Sequence, residues 1–177
     1  MDVTTMIILL LIGVIGIGVL YFMNAEKKAT KEKNKKNNIT TPISPETMKL
    51  KLQAYERLTI LTERIGLSNL ITRFNTEGFT ARQLQTAIID AIKTEYEYNI
   101  SQQIYVTRQI WEAITNLKEQ NIFIINQIAD TLPENATAMD LSKSILHFLN
   151  IDSNASLQPI VLRALNNEAK QLMEQLS

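Results

Sequence analysis

Residues 80–99, TARQLQTAIIDAIKTEYEYN, decide the fold class. Gln83 follows Thr80 at the spacing of a capping box, in which each side chain accepts a hydrogen bond from the other residue's backbone amide. Phe79 and Leu84 flank that start as a hydrophobic staple. Leu84, Ile88, Ala91, Ile92 and Tyr96 recur every three or four positions, the period of one helix face. The stretch is therefore an amphipathic helix ending near Asn99. Its apolar stripe needs other apolar surface to cover it, because helices of this length owe most of their stability to packing.

The same pattern extends toward the N-terminus. Ser44-Pro45-Glu46 reads as a helix start, with Ser as N-cap and Pro at the first helical position. Met48, Leu52, Tyr55, Leu58, Leu61 and Ile65 then form one face of a helix over 45–65, with Gly66 expected as its C-terminal cap. A short helix is expected over 67–74, followed by a turn at Asn75-Thr76-Glu77-Gly78. Toward the C-terminus, Ile100–Val106 lacks helical periodicity and is expected to be a non-helical connector. Thr107 caps a long helix from Arg108 to about Leu132, and Pro133 lies just past its end. Thr137 with Asp140 opens a helix to about Leu149. A loop over 151–155 leads to a last helix from Ser156 or Leu157 to about Leu176, with Pro159 tolerated in its first turn. The expectation is an all-α domain, a compact bundle of about five helices plus one short one, with neighbours mostly antiparallel across short connections.

Before this domain the composition changes. Val3 to Met23 holds no charged residue, and Met6 to Met23 is almost wholly apolar. About 20 helical residues cross a ~30 Å hydrocarbon core, so residues 1–24 are read as a transmembrane anchor. A cleaved signal peptide would need a basic start, a shorter apolar core and a small-x-small cleavage site; here the start carries Asp2, and Tyr21-Phe22-Met23-Asn24-Ala25 is a poor site. Gly13, Gly16 and Gly18 do not have the four-residue spacing of a helix-dimerisation face.

Residues 25–43 read as a basic linker. Lys27, Lys28, Lys31, Lys33, Lys35 and Lys36 stand against Glu26 and Glu32, whereas residues 37–177 carry twelve Lys or Arg against fifteen Asp or Glu. Lysines that follow a span tend to stay in the cytoplasm. The expected topology is a single-pass protein of the inner membrane, with its N-terminus outside and the helical domain, 44–177, in the cytoplasm. The six lysines are candidate contacts for anionic lipid headgroups. They are not interleaved with aromatic residues, and the domain is mildly acidic, so nucleic acid is not an expected partner.

No recognisable chemistry stands out in the domain. There is no Cys and one His, His147; a metal site ordinarily gathers several ligands. No phosphate-binding, zinc-protease or serine-hydrolase motif occurs. Glu95 and Glu97 are two apart and point to different helix faces, which argues against a paired-carboxylate site. The Asn-x-Ser/Thr triplets at Asn38, Asn99, Asn135 and Asn154 are ordinary in an Asn-rich chain. Two groups are candidates for partner binding: Gln102, Gln103 and Tyr105 in the connector, because binding residues gather on connectors between rigid elements, and Glu56 with Arg57 on the first domain helix. The bland alternative for the first group is that the Gln side chains satisfy exposed helix-end backbone groups while Tyr105 and Trp111 fill the core; for the second it is a solvated face, or an Arg bridging to an acid on a neighbouring helix.

At LQAYERLTILTERI (52–65) and NISQQIYVTRQIW (99–111) the chain resembles an uncharacterised family of short single-span membrane proteins of the Bacteroidota. The resemblance covers anchor, linker and helical domain. It implies a bacterial inner-membrane setting and no catalytic residue or cofactor. The functional expectation is a membrane-tethered interaction module, an adaptor or accessory subunit, whose partners are the lipid bilayer and another protein. A structural stalk is the alternative and an enzyme with an unfamiliar site the remote one. No enzymatic activity and no small-molecule substrate are expected.

Overall fold

The computed structural model describes residues 44–74, 77–151 and 156–174. The anchor, the linker and its six lysines lie outside these residues, as do the 152–155 loop and Leu176. Among the described residues the fold is all-α, with six helices: α1 (Pro45–Arg64), α2 (Leu67–Arg73), α3 (Ala81–Tyr98), α4 (Arg108–Asp130), α5 (Ala138–Ile151) and α6 (Gln158–Glu174). None of them is long and apolar enough to cross a membrane.

Helix starts follow the local chemistry of the sequence. The Ser44 hydroxyl accepts from the Thr47 amide at 3.2 Å, with Pro45 in the first turn. Thr80 and Gln83 form the full capping box. Thr107 accepts from Ile110 at 3.3 Å. Thr137 and Asp140 make the reciprocal pair, the Thr137 amide donating to the Asp140 carboxylate at 2.9 Å and the Asp140 amide to the Thr137 hydroxyl at 3.3 Å. These bonds satisfy amides that have no partner within their own helix.

Two of these starts lie side by side. The Ala81 amide donates to the Ala136 carbonyl and the Ala138 amide to the Phe79 carbonyl, both at 2.9 Å, an isolated antiparallel bridge between Thr80 and Thr137. The Arg82–Asp130 ion pair at 3.1 Å sets the last residue of α4 at this same far end. Phe79, expected to pack as a staple, stays 44% exposed; its backbone is engaged by α5 instead.

Directions can be read from side-chain pairs. Gln85 donates to Asn126 and Tyr96 bonds Thr115, so α3 runs antiparallel to α4. Tyr55 donates to Glu168 and Gln158 to Glu63, so α6 runs antiparallel to α1. The first and last described helices make the most extensive helix pair of the bundle. The core holds Leu58, Leu61, Ile65, Leu84, Ile88, Ile92, Ile114, Leu117 and Ile124, each essentially without solvent contact. Each such side chain contributes about 1.5–3 kcal/mol on burial.

Two expectations are corrected. Gly66 is not a left-handed cap. Ile65 closes α1 in right-handed geometry, and Gly66, at φ −60° and ψ 132°, is the N-cap of α2. A Cβ there would meet only the carboxamide of Gln158, the flexible end of a side chain that can shift, so the glycine leaves room for that contact without being required by it. The connector is also helical: Ile100–Ile104 forms a 3-10 helix, with the Gln102 and Tyr105 amides donating to the Asn99 and Gln102 carbonyls at 2.9 and 3.0 Å. Side chains in so short a helix recur every three residues, which a search for the α period does not detect.

Two adjacent residues of α4 hold the corner together. Asn121, fully buried, donates through Nδ2 to the Ile65 carbonyl at 2.8 Å, where α1 ends. Gln120 accepts from the Leu157 amide at 3.0 Å, where α6 is about to begin. Replacing Asn121→Ala opens a cavity and leaves a buried carbonyl unpaired; the expected loss is about 2–4 kcal/mol, read as a lower denaturation midpoint with an unchanged slope in urea titrations followed by circular dichroism.

Candidate functional site

Where α1, the 3-10 turn and the last turns of α6 converge, they leave a cleft. Tyr55 from α1 buries its ring and donates its hydroxyl to Glu168 Oε2 at 2.7 Å. Thr107, the cap of α4, donates to the other oxygen, Oε1, at 2.9 Å. Glu168 is thus clamped between the first helix and the fourth, on residues far apart in sequence. Burial first, and the hydrogen bond and charge of Glu168 second, push the Tyr55 hydroxyl well above the ordinary tyrosine range. Lys51, Ile104, Tyr105, Val106, Gln171 and Leu172 complete the lining, around a cavity of about 170 Å³.

That volume decides between uses. Sites for drug-sized ligands run to about 300–1,000 Å³. A cavity of this size has room for about one amino-acid side chain, and Ile104, Val106 and Leu172 supply apolar wall while Tyr105 and Lys51 supply hydrogen-bonding atoms.

The expected partner-binding residues separate in space. Tyr105 lines the cleft. Gln103 is exposed on the 3-10 turn, but Gln102 is turned inward, 8% exposed, with its amide donating to Ser101 at 3.1 Å; it is not a surface residue. Glu56 and Arg57 are exposed on α1, one and two residues beyond Tyr55. The Arg57 guanidinium sits 5.4 Å from the centre of the Tyr98 ring, a cation–π contact that joins α1 to the end of α3. Further along, Arg64 donates to Glu95 at 2.6 Å, an inter-helix bridge of the bland kind. Glu97 is exposed and shares no site with Glu95. His147 is exposed on α5, and among the described residues no group of three His, Cys, Asp or Glu could hold a metal ion.

Sequence reasoning missed Tyr55 and Glu168 as a pair. Tyr55 reads as one more apolar position of α1, and nothing near Glu168 signals that it returns to the first helix. A second, more open depression lies at the far end, between Glu77–Thr80 and Asn135–Thr137, with Phe79 and Met139 exposed beside it.

These features define an all-helical bundle with a small clamped cleft. The chain belongs to a family of unknown function, DUF7935, whose model matches residues 1–172. No curated protein and no solved structure matches it.

Deprotonating Tyr55 destroys its bond to Glu168. Its folded-state pKa lies above the unfolded value, so its contribution to stability is complete below about pH 10 and declines as pH rises through the folded value. In Tyr55→Phe the alkaline limb of the stability profile should flatten, with a loss of about 1 kcal/mol at neutral pH, measured by urea titration at a series of pH values.

Proposed function

We propose that this protein is a membrane-tethered helical interaction module, an adaptor or accessory subunit that holds a partner protein close to a bilayer. In this reading residues 1–24 span the inner membrane with the N-terminus outside, the lysines of 25–43 lie against lipid headgroups, and the helical domain is cytoplasmic. The observation that carries the binding role is the cleft at Tyr55, Tyr105 and Glu168, sized for one anchoring side chain and walled by residues from three elements. Interfaces concentrate their affinity in such anchor positions. Exposed Gln103, Glu56 and Arg57 supply a polar margin.

A stalk subunit fits less well. A stalk needs one long unbroken helix, whereas α1 and α6 fold back on each other over most of their length.

The tether and the cleft are tested separately. Alkaline carbonate extraction should leave the full chain in the membrane fraction, and protease added to intact spheroplasts should spare the domain; release by carbonate or digestion from outside contradicts the topology. A photo-crosslinking residue at Tyr105 should give a discrete protein adduct in cells, absent with the same probe at His147 on α5. An adduct of equal yield at both positions, or at neither, contradicts the cleft as the binding surface.

A further inference from the structure

The two most exposed large apolar side chains among the described residues, Tyr98 and Ile104, lie at the end of α3 and in the 3-10 turn that borders the cleft. Tyr98 is 73% exposed, Ile100 48% and Ile104 73%, all within the end of α3 and the 3-10 turn. Leu50 and Met173 are also exposed, and each neighbours a cleft-lining residue, Lys51 or Leu172. Five large apolar side chains thus face solvent at the end of the bundle where α1 begins. Solvent exposure of isolated apolar residues is ordinary, but a group at one end marks an interaction surface.

Its place in the chain bears on what covers it, because the segment that follows the apolar run enters the domain at this end. The apolar run ends at Met23, and Ser44 begins the cap of α1. The twenty residues between them span at most about 70 Å when fully extended, so a bilayer holding residues 1–23 is always within reach of this end. The basic segment between favours the headgroup layer. Tyr98 is an amphipathic ring of the kind enriched at membrane interfaces, and the hydrogen-bonded 3-10 turn presents the isoleucines on a firm support. Charge does not supply the attraction here. Arg57 and Lys51 stand near the surface, but so do the exposed carboxylates of Glu56 and Glu97.

We infer that the end of the domain formed by Tyr98, Ile100 and Ile104 rests on the lipid surface, inserting these side chains at the headgroup boundary. The inference depends on the membrane tether proposed above. It places the mouth of the cleft at the bilayer surface, so the partner is met there, and leaves the far end pointing away from the membrane.

The chain has no cysteine, so one introduced thiol labels one place. The full-length protein is reconstituted into phosphatidylcholine vesicles with about a quarter phosphatidylglycerol, carrying a bimane fluorophore at Ile104→Cys or at Met139→Cys near the far end. Nitroxide-bearing lipids should quench the label at position 104 at least about threefold more than that at 139, with little change when phosphatidylglycerol is omitted or salt is raised, because apolar insertion is not screened. Adding Ile100→Glu to the Ile104→Cys chain should remove most of the difference while circular dichroism stays unchanged. Equal quenching at the two positions in a chain that resists carbonate extraction overturns the inference and leaves the tether standing. Energy transfer between labelled copies without lipid quenching also overturns it, in favour of self-association. A chain released by carbonate overturns both readings.

Discussion

Everything in this bundle depends on a neighbouring pair of amides in α4. Asn121 holds the carbonyl at which α1 ends, and Gln120 holds the amide at which α6 is about to begin. Because α1 and α6 are the first and last described helices, these bonds fasten both ends of the domain to its longest helix. Gly66 and Gln158 complete the joint: the missing Cβ lets the Gln158 side chain lie against the α1–α2 corner and reach Glu63 at 2.9 Å. Asn121 is paired through Nδ2 alone, its buried Oδ1 having no partner among the described residues, so the bond to Ile65 is what offsets the burial of this amide and favours this register of α4.

The cleft is a consequence of that closure. With α6 pinned at Gln158, its last turns are carried down beside α1 until Glu168 lies between Tyr55 and Thr107. The carboxylate has both oxygens occupied by hydroxyl donors, which suits a structural clamp more than a proton-transfer group. What remains open beside it is a small space bordered by the 3-10 turn, and the same turn carries the exposed isoleucines. The cleft and the apolar end therefore share one element, so whatever orients that turn orients both.

Much of the helical architecture was readable because helix starts are local. Thr80 with Gln83, Thr107, Thr137 with Asp140, and Ser44 with Pro45 each announce a start within four residues, and the apolar spacing gives the inward face. What was not readable depends on partners distant in sequence. Gly66 looked like a helix terminator because the side chain that lies against it, Gln158, arrives only with α6. Gln102 looked like a surface amide because a 3-10 turn is invisible to an α-helical period. Tyr105 was singled out from its connector and does line the cleft; the pairing of Tyr55 with Glu168, 113 positions apart, was not legible.

The central structural claim is that α1, α4 and α6 form one cooperative unit joined at Gln120 and Asn121, with the cleft as its rigid product. Native-state hydrogen exchange measures this most directly. The account predicts that the interior amides of α1 and α6 open with the same free energy as those of α4, at the global unfolding limit. If α6 exchanges by a separate opening of lower free energy while α1 and α4 stay protected, the clamp at Glu168 is a loose contact and the claim is contradicted.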